Sequence, residues 1–169
     1  MASSYSFSIQ IKAIILAVTV CISLYILDNC GGRDPYFRKI EDYLQFITLL
    51  YVFTIALLYK DMRLSLKQLA ISLISVSTLV YIIKYLVNAK RPNGIGGYSF
   101  PSGHTSFAFV VATMIHKRYH LYYAIPAYIN GTLVGYLRLF HHKHHLQDVI
   151  CGAIIAIALT WRIVSRKES

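Results

Sequence analysis

Apolar residues gather in runs near residues 9–27, 43–59, 68–87, 104–116, 121–137 and 149–165, and the charged residues collect in the short connectors between them. A helix of a soluble domain turns a polar face to water every few residues, whereas these runs are apolar on all sides, as a lipid solvent requires. The pattern predicts an all-α fold: a polytopic membrane protein with six transmembrane helices in one bundle, a single domain over residues 1–169 with no linker long enough to divide it. The fourth run, His104 to His116, is short for a hydrocarbon core of about 30 Å, which takes roughly 20 residues. It is therefore expected to be shielded by its neighbours or preceded by a loop that dips inward. The first run carries only Lys12 among its leading residues and has no small-x-small site after Leu27, so it reads as a retained helix, not a cleaved signal.

Composition agrees with this picture: 56% of residues are hydrophobic, 14% are charged, and mean hydropathy is +0.52. The net charge of +10 alone would suit nucleic acid, anionic lipid or a phosphorylated substrate. The basic residues sit singly or in pairs at the ends of apolar runs, without the continuous stripe that nucleic acid needs, so phosphate or headgroup contact is expected. With the N-terminus inside, nine basic residues fall on the inner side and eight on the outer. The bias sharpens if Lys84, Arg91 and Arg138 serve the site instead of the topology. Cys21, Cys30 and Cys151 form no CxxC and imply neither a disulfide framework nor a cysteine metal site.

Three stretches are more polar than a membrane protein carries without reason: Lys84 to Pro92, Pro101 to His104, and Arg138 to Asp148. In a six-helix chain all three lie at one face, because the connectors after the third and fifth helices share a side. Lys84 and Arg91 are seven apart, so if the third helix continues to Pro92 both cations project from one stripe and can grip one anion. The alternative is a pair of snorkelling cations at the membrane boundary. Asn93-Gly94-Ile95-Gly96-Gly97 reads as a flexible loop able to fold over a site. Ser102 suits an N-cap, Gly103 lets a ligand approach the backbone, and the helix N-terminus favours an anion; Pro-Ser-Gly is also an ordinary turn, and His104 an ordinary cap.

His144 and Asp148 are four apart, so on a helical turn the carboxylate can hold one imidazole nitrogen and leave the other free to attack. Asp148 is the only carboxylate adjoining these connectors, which leaves no acidic set for a two-metal phosphatase. The rival reading of His141, His142, His144 and His145 is metal capture. Fourteen Tyr read as interfacial and packing residues, and the connector Asp28 to Asp42 as an interfacial segment or a plain link.

In chain order these residues read KYLVNAKRP (84–92), PSGH (101–104) and an RxxxxxHxxxD pattern from Arg138 to Asp148. The set resembles the phosphatidic acid phosphatase type 2 (PAP2) superfamily, which has three such motifs in this order. One departure is Leu137, where the family usually has Ser. The resemblance implies a membrane lipid phosphatase in which His144 is the nucleophile that forms a phosphohistidine, Asp148 orients it, and His104 protonates the leaving oxygen and then activates water. Lys84, Arg91, Arg138, Ser102 and Gly103 would hold the phosphoryl oxygens, with no metal or other cofactor. It further implies a bacterial plasma membrane location with the site on the periplasmic or extracytoplasmic face. The expected partners are a lipid phosphate substrate and the membrane, with no nucleic acid and no obligatory protein partner. Lipid A 1-phosphate or undecaprenyl pyrophosphate is favoured, with phosphatidylglycerol phosphate and phosphatidic acid open. A lipid phosphotransferase of the same fold and a His-rich membrane metal carrier are the alternatives.

Overall fold

A computed structural model describes residues 40–167, with side chains from residue 43 onward. These residues are all-helical: α1 (Ile40–Leu58), α2 (Met62–Val87), α3 (Gly103–Arg118), α4 (Leu121–Phe140) and α5 (Leu146–Ile163). They correspond to the second through sixth expected runs; the first run and the connector to residue 39 lie outside the described residues. The short run is the centre of the molecule. α3 packs against all four other helices, and ten of its sixteen residues are buried. The helix is covered by its neighbours, the shielding that its short apolar run predicts.

Outward faces are apolar: Phe46, Leu50 and Phe53 on α1, Ile74, Tyr81 and Ile82 on α2, Ile125 and Ile129 on α4, Ile150, Ile154 and Trp161 on α5. α2 and α5 are long and apolar enough to cross a membrane by length and composition. Inside the bundle, small and hydroxylated residues sit between helices and polar groups join them, as membrane helices require where lipid drives no hydrophobic association. Asn130 of α4 donates to the Leu44 carbonyl of α1 at 2.9 Å and to the Thr48 hydroxyl. Gly152 of α5 lies so close to α3 that a Cβ would stand 2.6 Å from the Ser102 carbonyl oxygen and 2.9 Å from Ser106 Oγ.

α2 begins six residues before the apolar run that predicts it. Its first two turns carry Arg63, Ser65, Lys67 and Gln68, polar residues that hide a helix from a hydropathy reading. Ser65 and Gln68 face protein, not lipid: buried Arg118 at the end of α3 donates to Asp61, Ser65 and Gln68 and to the carbonyl of Ser165 beyond α5. The Arg118–Asp61 ion pair closes at 2.5 Å. This knot holds the end of the bundle opposite the three polar motifs.

At the motif end α2 stops at Val87, not at Pro92. Asn88 takes a left-handed conformation (φ 43°) and its N–H caps the Lys84 carbonyl, ending the helix as Asn tolerates better than most residues. The shared stripe expected for Lys84 and Arg91 is therefore absent, and Arg91 arrives through an irregular connector.

Candidate active site

The three polar stretches meet at one end of the bundle, stitched by main-chain hydrogen bonds. Asn93 N–H donates to the His142 carbonyl at 3.0 Å, and Ser102 N–H donates to the Asp148 carbonyl at 2.9 Å. They border a cavity of about 710 Å³, lined at its polar end by Lys84, Arg91, Tyr98, Gly103, His104, Arg138 and His144. Below these the cavity runs between α2 and α3 along Val80, Ser77, Val76, Leu73, Phe107 and Val110. From Lys84 to Leu73 is three helical turns, about 16 Å of mostly apolar wall.

His144 stands in the connector between α4 and α5, 3% exposed, while Asp148, in the first turn of α5, is fully enclosed. His144 Nδ1 lies 3.3 Å from Asp148 Oδ2, which also accepts the His145 N–H at 2.9 Å. The i, i+4 pairing read from the sequence is thus present, and Asp148 Oδ2 ties α5 to the residue before it. On the other side of the ring, Nε2 lies 3.5 Å from Nη2 of buried Arg138. Burial first, then the neighbouring Arg138 and Lys84 cations, push His144 down to about 4, against the raising influence of Asp148. The imidazole is neutral at neutral pH, the form that can attack.

Lys84 Nζ donates to the carbonyls of Tyr98 (2.6 Å) and Ser99 (3.2 Å), so it clamps the segment leading into α3. An ammonium has three donors, and the third remains for an anion. His104 sits in the first turn of α3, its carbonyl held by Gln45 Nε2 at 3.0 Å. Gly103 and His104 both line the cavity, and first-turn N–H groups of a helix have no intrahelical acceptor.

Ser102 occupies the N-cap position but makes no side-chain cap bond; its hydroxyl accepts from Thr105 at 3.0 Å and is fully buried outside the cavity lining. Residues 92–97 do not fold over the cavity. Gly94 (φ 71°) and Gly96 (φ 76°) make an outward turn, Ile95 is 74% exposed, and the bond from Asn93 to His142 ties the loop to the far connector.

The histidine cluster disperses. His141 packs its ring against Phe140, His142 sits at φ 51° with its carbonyl taken by Asn93, and His145 is the N-cap of α5. Among the described residues no three His, Cys, Asp or Glu side chains gather to hold a metal.

Two site residues escaped the sequence. Ser99 is fully buried, donates to Asp148 Oδ2 and lies 3.3 Å from His144 Nδ1. Gln45 lines the cavity from α1. Neither belongs to a spaced pattern; the one available signal for Ser99 was its place two residues before Pro101.

Residues 93–168 match the model of the PAP2 superfamily, the superfamily that the three motifs resemble. The chain is 36% identical over 77 residues to the lipid A 1-phosphatase of Porphyromonas gingivalis, a stretch that is 44% of this chain and 17% of that protein. The chain thus spans about a sixth of that curated relative. Among solved structures, that of Aquifex aeolicus LpxE aligns with a TM-score of 0.61 over 82% of this chain and 91% of the other, at 24% identity, a likeness of fold.

Proposed function

We propose that this chain, whose residues 93–168 carry the match to the PAP2 superfamily, is a metal-independent membrane lipid phosphatase acting through a phosphohistidine. The observation that carries the reading is the environment of His144. It is a neutral, buried imidazole with Nδ1 turned to Asp148 and Nε2 turned to Arg138, at the mouth of a cavity that also receives Lys84, Arg91 and His104.

In this reading a phosphate of the substrate sits among Lys84, Arg91, Arg138 and the Gly103 and His104 amides, which stabilise the charge on its equatorial oxygens. Ser102 acts through the turn it builds. His144 Nε2 forms a bond to phosphorus as the bond from phosphorus to the leaving oxygen breaks, and His104 gives that oxygen its proton. Water then attacks the phosphohistidine, its proton passes to His104, and phosphate leaves with His144 restored. Asp148 keeps Nδ1 protonated and supports the positive charge that builds on the ring.

The apolar continuation of the cavity favours a lipid whose chain lies between α2 and α3 while its phosphate reaches the cations. The relative named a lipid A 1-phosphatase supports lipid A 1-phosphate as substrate, with undecaprenyl pyrophosphate next. The apolar outward faces support a place in a membrane; the bacterial plasma membrane, with the motifs at its extracytoplasmic side, follows from the likeness to the PAP2 superfamily.

The test is phosphate release by detergent-purified protein from a panel of lipid phosphates and pyrophosphates in EDTA, with His144→Ala alongside. Release by the wild type and none by the variant is the expected result. Loss of release in EDTA would overturn metal independence, and a newly phosphorylated lipid without matching free phosphate would make the protein a transferase.

A further inference from the structure

We infer that Ser99 is a positioning residue for His144: its hydroxyl bridges Asp148 and the imidazole and selects the tautomer that leaves Nε2 able to attack. The inference rests on the reading of His144 as nucleophile, and three features of the segment carry it.

Ser99 is held on both sides by contacts that do not involve its own side chain. Its N–H donates to the Ala89 carbonyl at 2.9 Å, and its carbonyl, with that of Tyr98, accepts from Lys84. The hydroxyl is thereby delivered into a fully buried position between two groups of the site. Its partners then assign its one hydrogen. Ser99 Oγ donates to Asp148 Oδ2, so the oxygen presents lone pairs to His144 Nδ1 at 3.3 Å.

Nδ1 therefore faces two acceptors, Ser99 Oγ and Asp148 Oδ2, both at 3.3 Å. The group that meets two acceptors is N–H. A neutral imidazole has a single N–H, so Nε2 carries the lone pair, and the donor that faces it, Arg138 Nη2 at 3.5 Å, fits that assignment. At 3.3 Å the Asp148 contact alone is long for a bond to a charged group, and Ser99 supplies the second point that fixes the ring. A serine that only filled space would need no such alignment.

The charged and titratable groups around His144 are Arg138 from α4, Lys84 from α2, Asp148 from α5, His104 from α3, and Arg91 from the connector. Ser99 donates to the one anion among them, and its oxygen is the second acceptor at Nδ1. Removing the hydroxyl leaves the ring held at one point, so the Nε2–H tautomer gains share.

The experiment compares wild type, Ser99→Ala, Ser99→Thr, Asp148→Ala and the Ser99→Ala/Asp148→Ala double variant. It reads kcat and KM separately on the best lipid phosphate. In parallel it records 15N-histidine NMR spectra in micelles, with His144→Gln assigning the resonance. Ser99→Ala is expected to lower kcat about tenfold with KM within about twofold and to mix the His144 tautomers. Ser99→Thr should recover much of the rate, and the double variant should be no slower than Asp148→Ala. Wild-type kcat and unchanged His144 shifts in Ser99→Ala would overturn the inference, as would a loss that multiplies in full on the Asp148→Ala background. If Ser99→Ala does not fold, Ser99→Cys carries the same comparison with a weak donor of similar size. A wild type that hydrolyses no lipid phosphate sinks the functional reading by itself, while the 15N shifts still decide what Ser99 does.

Discussion

In the proposed reaction His144 attacks only as the neutral imidazole, and its surroundings hold its proton affinity down to about 4. The acid limb of kcat/KM should therefore fall near pH 4 instead of near 6.5, while the alkaline limb follows loss of the proton that His104 must donate. A pH profile with chemistry rate-limiting checks this; an acid limb at 6.5 would place the nucleophile elsewhere. The same depression affects stability with a definite sign. Between pH 6.5 and 4 the unfolded chain binds a proton at this histidine and the folded chain does not, so stability drops as pH falls through that window. His144→Gln should flatten that part of a plot of melting temperature against pH. The pair should also differ in severity: His144→Ala removes the route, whereas Asp148→Ala keeps the nucleophile and costs about 10²- to 10⁴-fold in kcat. The contact of His144 with Asp148 was legible from spacing alone, because a His and an Asp four apart can meet on a helical turn. Ser99 was not legible: a single hydroxyl gains meaning only when folding carries it 49 positions along the chain to Asp148.

Elements meet by close approach. Gly152 admits the Ser102 turn against α5, and a methyl there would stand 2.6 Å from a backbone oxygen that cannot swing away. Gly152→Ala is expected to destabilise by about 1–3 kcal/mol and to lower kcat, since it pushes Gly103 and His104 away from His144; thermal unfolding and kinetics on one preparation separate the two effects. At the opposite end Arg118→Leu strands Asp61 and should cost about 3–5 kcal/mol. Rate per folded molecule should persist there, because the knot is a bundle length from the cavity. Helix number and order in residues 40–167 follow from the apolar runs, and so does the end of α2 at Val87; its start escaped them, and the extension to Pro92 weighed for Lys84 and Arg91 does not occur. The polar first turns of α2 face protein, which a hydropathy reading cannot distinguish from water, and α2 ends at a left-handed Asn88, which acts four residues before the more obvious Pro92.

For the molecule as a whole, the bundle is wrapped in apolar side chains with its polar chemistry gathered at one end. If that end faces outward, a cysteine placed at exposed Ile95 should react with an impermeant maleimide in intact cells, and one at exposed Lys67 only after permeabilisation. The reverse labelling would invert the topology. The gathering of the three motifs was expected from the parity of their connectors, since an odd-to-even link always returns to the same side. The cavity was not foreseeable, because the α2–α3 groove depends on how two helices cross. The loop from Asn93 to Gly97, read as able to fold over a site, turns outward: the glycines at 94 and 96 permit many paths, and the pairing of Asn93 with His142 favours the outward one.

That pairing, like the one from Ser102 to Asp148, runs between main-chain atoms and does not depend on which side chains stand at its ends. On the proposed reading, a lineage can therefore exchange residues along the rim and alter which headgroup is admitted without loosening the frame that holds His144. Proline is the one residue barred from the donor end, having no N–H to give. A saturation library at position 93 should accordingly tolerate a wide alphabet and lose proline, the mark of a site whose selectivity can drift while its reaction stays constant.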